Sequence, residues 1–388
     1  MRFPEFEGEW EKKRLGGIGD VKMCRRVFNN ETSPTGDIPF FKIGSFGKVA
    51  DAFISKELYL DYKNRFSFPK QGDILISAAG TIGRTVVYDG EDAYFQDSNI
   101  VWIENDNKMI TNNFLYYIFQ IVKYNTEGGT IQRLYNNILK STKFNAPSIT
   151  EQNKIASFLS LIDERISTQN KIIEELTLLK NTISRKILSR HLKFKDESGN
   201  EFPMWELKKL REVLLKNSKK NKLLRYSTVQ SVSNKFGFIN QEDFFEDRRV
   251  ASIDTSNYYV IKKGTFAYNP SRIDVGSLAY KADDNVSIIS PLYISFQANS
   301  NYLIDNFLLN WFFGIEFIHQ MHNSFEGSVR NTLSYESLEK INISIPSIAE
   351  QAKISDYLLS FTNKIEIENT LLRSLQREKK YFLLNLFI

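Results

Sequence analysis

One cysteine, Cys24, stands in 388 residues, beside three histidines and five methionines. A single thiol excludes an internal disulfide framework and leaves no thiolate cluster for structural zinc, and such usage predicts a reducing, cytoplasmic setting. Charge of one sign is also missing. Lys and Arg number 51 against 46 Asp and Glu, a net +5, so attraction to phosphate has to come from local clustering. No long hydrophobic run is present: the strongest, 307–318, is broken by Asn310, Gly314 and Glu316. The opening Met1, Arg2, Phe3, Pro4 and Glu5 lacks the apolar core of a signal peptide, so neither a leader nor a membrane span is expected.

Chemical motifs are sparse too. The chain has no Walker A loop, and no Gly-rich first turn combined with an Asn/Asp-Pro-Pro-aromatic segment, which argues against ATP turnover and against methyl transfer to a flipped base. Asn269-Pro270-Ser271-Arg272 begins like the second motif but lacks the second proline and the stacking aromatic. Asp196, Glu206 and Lys208 offer carboxylates and a lysine, and His319 and His322 sit three apart, yet no further ligand completes a metal site. The expectation is a chain with no catalytic residue, no metal and no cofactor of its own.

What the chain does have is duplication. Pro147-Ser148-Ile149-Thr150-Glu151-Gln152-Asn153-Lys154-Ile155 recurs as Pro346-Ser347-Ile348-Ala349-Glu350-Gln351-Ala352-Lys353-Ile354, displaced by 346 − 147 = 199 residues. Trp10-Glu11 with Trp205-Glu206, Gly72 with Gly264, and Asn113-Phe114-Leu115 with Asn306-Phe307-Leu308 follow in the same order at offsets of 195, 192 and 193 by subtraction. The drift places insertions in loops of a shared scaffold.

Each Pro-Ser-Ile opens a long stretch free of Pro and Gly, which predicts a helix from Thr150 to about Arg190 and another one repeat later. Steps of four and three pick out Ile155, Leu159, Ile162, Ile166, Gln169, Ile173, Leu176, Lys180, Ile183 and Ile187. Adding 199 gives Ile354, Leu358, Phe361, Ile365, Glu368, Leu372, Leu375, Lys379, Phe382 and Leu386. Both seams are polar at the same two positions. Two matched seams of equal length predict an antiparallel pair of helices, with Glu368 set against Lys180. From Ile155 to Ile187 the rise is about 48 Å, a ruler longer than one turn of duplex DNA.

The fold class expected is therefore α+β: two similar mixed domains, residues 1–149 and 193–345, separated by long helices at 150–192 and 346–388, as a pseudo-two-fold repeat. Strands are expected at 73–77, 99–103, 266–268 and 292–296, and a helix with an aromatic face at 113–124.

Three groups of residues are candidates for ligand contact. After the strand at 73–77 comes a loop with Ser77, Gly80, Thr81, Gly83 and Arg84; its repeat counterpart holds Asn269, Ser271, Arg272 and Gly276. Glycines let backbone approach a ligand while Arg and hydroxyls supply donors. A tight strand connection explains either loop alone, and the repetition favours a ligand. A second recurring cluster supplies Thr130, Gln132 and Arg133 in the first half and Ser328, Arg330 and Asn331 in the second. Such side chains make paired hydrogen bonds to base edges. The basic run holding Lys219 and Lys220 fits either a solvated loop or phosphate contact.

With these features together, the chain resembles the specificity subunit of type I restriction-modification enzymes. The resemblance rests on the duplicated Pro-Ser-Ile-x-Glu-Gln-x-Lys-Ile with its helix, the opening from Arg2 to Trp10, the segment from Gly72 to Ser77, and Tyr268-Asn269-Pro270-Ser271-Arg272. It implies two target recognition domains, each reading one half of a bipartite site in double-stranded DNA, and helices that set the gap and dock two methyltransferase subunits, to which endonuclease subunits are added. S-adenosylmethionine, ATP and magnesium are then expected only in those partners. The rival reading of the same features is a non-catalytic coiled-coil adaptor that binds protein partners without reading DNA.

Overall fold

A computed structural model describes residues 1–124, 133–244, 254–326 and 331–387. Thr130, Gln132, Ser328 and Arg330 lie outside the described residues. The chain divides into two units, Met1–Asn170 with Thr370–Ile388, and Lys171–Asn369.

The first unit runs β1 (Glu11–Arg14), β2 (Gly19–Met23), β3 (Ile38–Phe41), β4 (Phe53–Ile54), α1 (Lys56–Arg65), β5 (Ile74–Ser77), β6 (Thr85–Val87), β7 (Tyr94–Phe95), β8 (Ile100–Asn105), α2 (Asn112–Ile121), α3 (Asn136–Ser141), β9 (Lys143–Ala146) and the start of α4 (Ile149–Leu188). Its main sheet has the order β2-β8-β5-β6, wholly antiparallel. A smaller sheet, β4-β3-β7, has β3 parallel to β7, and β1 pairs with β9. Strand alternation puts Ile74, Ile76, Val101 and Ile103 into one core with α2 and the start of α4, and Leu75, Ile100 and Trp102 into a second core with the smaller sheet. This is why 74–76 and 100–103 read as unbroken apolar runs: both faces are covered.

Thr111 caps α2, accepting from Phe114 N at 3.3 Å. The helix stops at Ile121, three residues before the expected end, because Val122 turns extended. The turn carries Tyr124 against Gly83, where a Cβ would lie 3.0 Å from the ring. Packing overrides the helical pattern here.

The second unit holds β10 (Glu206–Lys209), α5 (Leu210–Val213), β11 (Leu214–Lys216), β12 (Val229–Ser233), β13 (Gly237–Asn240), α6 (Gln241–Phe244), β14 (Tyr259–Ile261), β15 (Thr265–Tyr268), β16 (Leu278–Tyr280), β17 (Ser287–Ile289), β18 (Ile294–Ala298), α7 (Asp305–Phe312), α8 (Ile315–Asn323), α9 (Tyr335–Leu338), β19 (Asn342–Ile345) and the start of α10 (Ile348–Asn385). Its sheets are β11-β18-β15-β16, β13-β12-β17-β14 and β10-β19. The first is wholly antiparallel, and β12 is parallel to β17, as β3 is to β7.

In both units a glutamine fixes the start of the long helix. Gln152 Nε2 donates to the carbonyls of Met109 and Pro147 at 3.0 Å, and its Oε1 accepts from Thr111 N at 3.0 Å. Gln351 donates to Tyr302 and Pro346 at 2.8 and 3.0 Å, and accepts from Ile304 N at 2.8 Å.

No seam position of α4 or α10 is exposed, and the polar Gln169 and Glu368 are 5% and 8% exposed. Within the first unit Phe158 meets Phe382 at 4.9 Å between ring centroids, Asp163 meets Lys379 at 2.6 Å, and Ile155 and Leu159 share a core with Leu386. One set of numbers rises as the other falls, so these segments run antiparallel. Within the second unit Ile187 shares a core with Ile354 and Leu358. The expected ion pair between Glu368 and Lys180 is absent: Glu368 takes Lys364, one turn earlier on its own helix, at 2.5 Å. No ion-pair partner of Lys180 is found among the described residues. Among them, too, no helix is long and apolar enough to cross a membrane.

Candidate nucleic-acid interface

The loop between β5 and β6 is a closed turn. Ser77 N donates to Arg84 O at 2.9 Å and Gly83 N to Ser77 O at 3.0 Å. The Ser77 hydroxyl, in a residue only 1% exposed, donates to Thr81 O and accepts from Arg84 N. Gly80 and Gly83 have φ of 64° and 82°, a region in which L side chains are strained. Arg84 is half-buried and donates Nη1 to Phe46 O at 2.8 Å. Gly80 and Thr81 are exposed at the tip.

Beside this turn runs the second candidate segment. Ala79 bridges to Arg133, and Leu134 N donates to Ala78 O at 2.8 Å. Arg133 is exposed. Two segments 133 − 79 = 54 residues apart in the chain thus form one surface, a juxtaposition that neither loop's sequence discloses.

The second unit repeats the construction with different residues. Asn269 N donates to Ser277 O at 3.1 Å, Arg272 N to Asn269 O at 3.0 Å, and Ser277 N to Arg272 O at 3.1 Å. Gly276 has φ of 87°, and Asn269 Oδ1 accepts from Ser271 N at 3.1 Å. Ser271 and Arg272 are exposed. Leu333 N donates to Pro270 O at 3.0 Å, the bond that Leu134 makes to Ala78 in the first unit. Tyr268 seals the pair from below by donating its hydroxyl to Leu333 O at 3.1 Å, and burial raises its pKa so that it stays a neutral donor. Asn331 is exposed at the edge of this surface.

The basic run leaves β11 at the same end of its sheet. Lys216 pairs with Phe296, Asn217 N continues the ladder to Ser295 O at 2.9 Å, and the chain then passes Ile294, the partner of Tyr268. Lys219 and Lys220 are exposed there, with Lys220 Nζ 3.3 Å from Asn257 Oδ1. Ile173, Leu176, Leu372 and Leu375, expected to pair the helices, are half-buried or buried on their seams and far from these loops in sequence. The exit of β2 is the corresponding place in the first unit. It carries Arg25 and Arg26, which the sequence did not single out because two adjacent arginines make no pattern.

Among the described residues no group of three or more His, Cys, Asp or Glu stands ready to hold a metal. The first surface offers exposed guanidinium and hydroxyl donors, and the second adds ammonium and amide, each on a braced backbone suited to an extended anionic partner.

A family model for the type I restriction modification DNA specificity domain matches twice, over residues 7–178 and 204–377. A Haemophilus influenzae chain described as a type I restriction enzyme specificity subunit is 54% identical over 165 residues, 42% of this chain and 42% of that one. The type I restriction enzyme MjaVIII specificity subunit of Methanocaldococcus jannaschii is 26% identical over 407 aligned positions, 98% of this chain and 92% of its own. The fold is that of the type I restriction-modification S subunit from M. genitalium, with a TM-score of 0.57 at 17% identity over 98% of this chain and 96% of that one. With two copies of the domain across most of its length, the chain belongs to the type I restriction-modification DNA specificity family.

Proposed function

We propose that this chain selects the DNA site for a type I restriction-modification complex, that each unit reads one half of a bipartite sequence, and that the chain has no catalytic site of its own. The observation that carries this reading is the shared construction of the two loop surfaces. Each stands at the same end of a four-stranded antiparallel sheet, tied by the same backbone hydrogen bond (Leu134 to Ala78, Leu333 to Pro270), while the side chains displayed there differ. One scaffold with two sets of donors suits two different half-sites.

The target recognition domains are taken as 1–149 and 193–345, and the helical segments as 150–192 and 346–388. Along their whole length the helices pair as an antiparallel coiled coil, making the chain a pseudo-two-fold repeat; the antiparallel contacts of Phe158 with Phe382 and the matching sheet orders support this. The coiled coil fixes the gap between half-sites and docks two methyltransferase subunits, to which endonuclease subunits add. S-adenosylmethionine, ATP and magnesium act in those partners. Each good bidentate base contact is worth about 1 to 3 kcal/mol, so a few per unit give selectivity once both halves bind together.

Sequencing of methylated bases in DNA from cells that express the chain with its partners tests this directly. A two-part motif with a fixed gap is expected, and replacing residues 1–149 by the same segment of another family member changes one half only. Methylation with no common motif would point instead to a protein adaptor.

A further inference from the structure

We infer that Arg25 and Arg26, set beside the exposed rings of Phe66 and Phe28, form a phosphate grip of the first unit, the counterpart of Lys219 and Lys220 in the second. This rests on the DNA-reading function proposed above and adds a place on the chain where the duplex backbone is held.

Strand register locates the grip. Met23, the last residue of β2, pairs with Val101, which pairs on its other side with Ile76. The ends of β2 and β5 therefore lie in one row, and both strands leave the sheet on that side. β5 leaves into the turn bearing Thr81 and Arg84; β2 leaves into Cys24, Arg25 and Arg26. Cys24 is buried, and Tyr94 donates its hydroxyl to Arg25 O at 3.1 Å, so the backbone is pinned where the two cations emerge. In the second unit Lys219 and Lys220 follow β11 out of the equivalent edge of β11-β18-β15-β16.

The local chemistry fits phosphate. Both arginines are exposed, and among the described residues neither has a carboxylate partner. The guanidinium carbon of Arg25 lies 5.2 Å from the Phe66 ring centroid and that of Arg26 lies 5.9 Å from Phe28. A guanidinium held against an aromatic ring loses little further freedom when its N–H edge meets a planar anion, which suits bidentate contact with phosphate oxygens. Nearby carboxylates are already engaged: Glu31 accepts from Phe28 N at 2.7 Å, and Asp61 takes Arg65 at 3.0 Å. Phe28 and Phe66 are 54% and 37% exposed, and rings that shield no core here serve as backing for the cations. Cations placed beside a base-reading loop position the duplex without adding sequence information.

The test uses the chain assembled with its methyltransferase subunits and two duplexes, one carrying its methylated motif and one scrambled. The double variant Arg25→Ala, Arg26→Ala is expected to lower affinity for both duplexes by the same factor, on the order of tenfold, and to flatten the slope of log affinity against log salt by about 2, leaving the motif intact. Arg25→Lys with Arg26→Lys is expected to keep most of the slope. Since both side chains are exposed, melting temperature should not move; should the double variant melt early, Arg26→Gln alone is read for a slope change of about 1. Unchanged affinity and slope would overturn the grip, and so would a changed half-site motif, which would make these residues base readers. A wild-type complex with equal affinity for the two duplexes would instead defeat the DNA-reading function on which the inference rests.

Discussion

Lys379 Nζ lies 2.6 Å from the carboxylate of Asp163, which also accepts the hydroxyl of Tyr117 at 3.0 Å. The repeat equivalents, by the offset of 199, are Lys180 and Thr362, so the second copy of this site keeps the lysine and lacks the acid. Burial there pushes the Lys180 pKa below that of an ordinary lysine. The unfolded chain binds its proton more tightly than the folded chain, so this group's contribution to stability rises with pH between the lowered folded value and the ordinary one near 10.5. Lys180→Met should raise the melting temperature at pH 7 and lose that advantage as pH rises past 10.5, whereas Asp163→Ala should cost about 2 to 3 kcal/mol by leaving two partners unpaired. Thermal melts of both variants across pH decide the matter; a Lys180→Met variant less stable at pH 7 would show that its charge is compensated.

Gln152 and Gln351 are each fully buried and each make three hydrogen bonds to backbone. Replacement of either by leucine keeps the volume and orphans three backbone groups, at a cost of about 2 to 4 kcal/mol. Glutamate should be no better, since a carboxylate repels the two carbonyls that the amide serves. Denaturant titration is the check, with equal damage expected from the two sites because their bonding is the same.

Cys24 is the chain's only thiol, and burial raises its pKa to about 12. At pH 8 it should react with a disulfide reagent only through opening of the first unit. Labelling that proceeds at the rate of a free thiol in the native chain would contradict the packing around it. The same reaction then serves as a stability probe for that unit alone.

Arg272 is exposed and Arg84 donates to Phe46 O, so their alanine variants should differ. Arg272→Ala is expected to weaken or relax recognition of its own half-site with no loss of stability. Arg84→Ala should do the same to the other half-site and in addition lose about 1 kcal/mol of stability from the missing loop bond. Motif sequencing and melting temperature, measured on both, separate these effects; two variants with wild-type motifs and affinities would remove both loops from the interface.

The strands expected at 73–77 and 99–103, found at Ile74–Ser77 and Ile100–Asn105, and both long helices were legible because burial leaves a periodic or continuous apolar trace in the chain. The end of α2 was not, since nothing local to Val122 calls for a stop; the need to set Tyr124 on Gly83 does. The pairing of the β5–β6 turn with Arg133 was equally hidden, because a contact between distant loops has no period. Glu368 illustrates the same limit. Its heptad position is plain, but that its carboxylate meets Lys364 and not Lys180 is decided in space.

By itself the sequence determined that the chain is written twice, that each copy closes on a long helix, and that the same Glu-Gln pair opens both helices, since repetition and periodicity are properties of order along a chain. Only the tertiary structure decided what those identical residues do. Glu151 holds both Nε and Nη2 of Arg2, at 2.8 and 2.7 Å, while Glu350 accepts from the indole of Trp205 at 3.0 Å, and the matching indole of Trp10 has no hydrogen-bond partner among the described residues. A buried carboxylate takes whichever donor the surrounding fold delivers, and Arg2 arrives from 149 residues away.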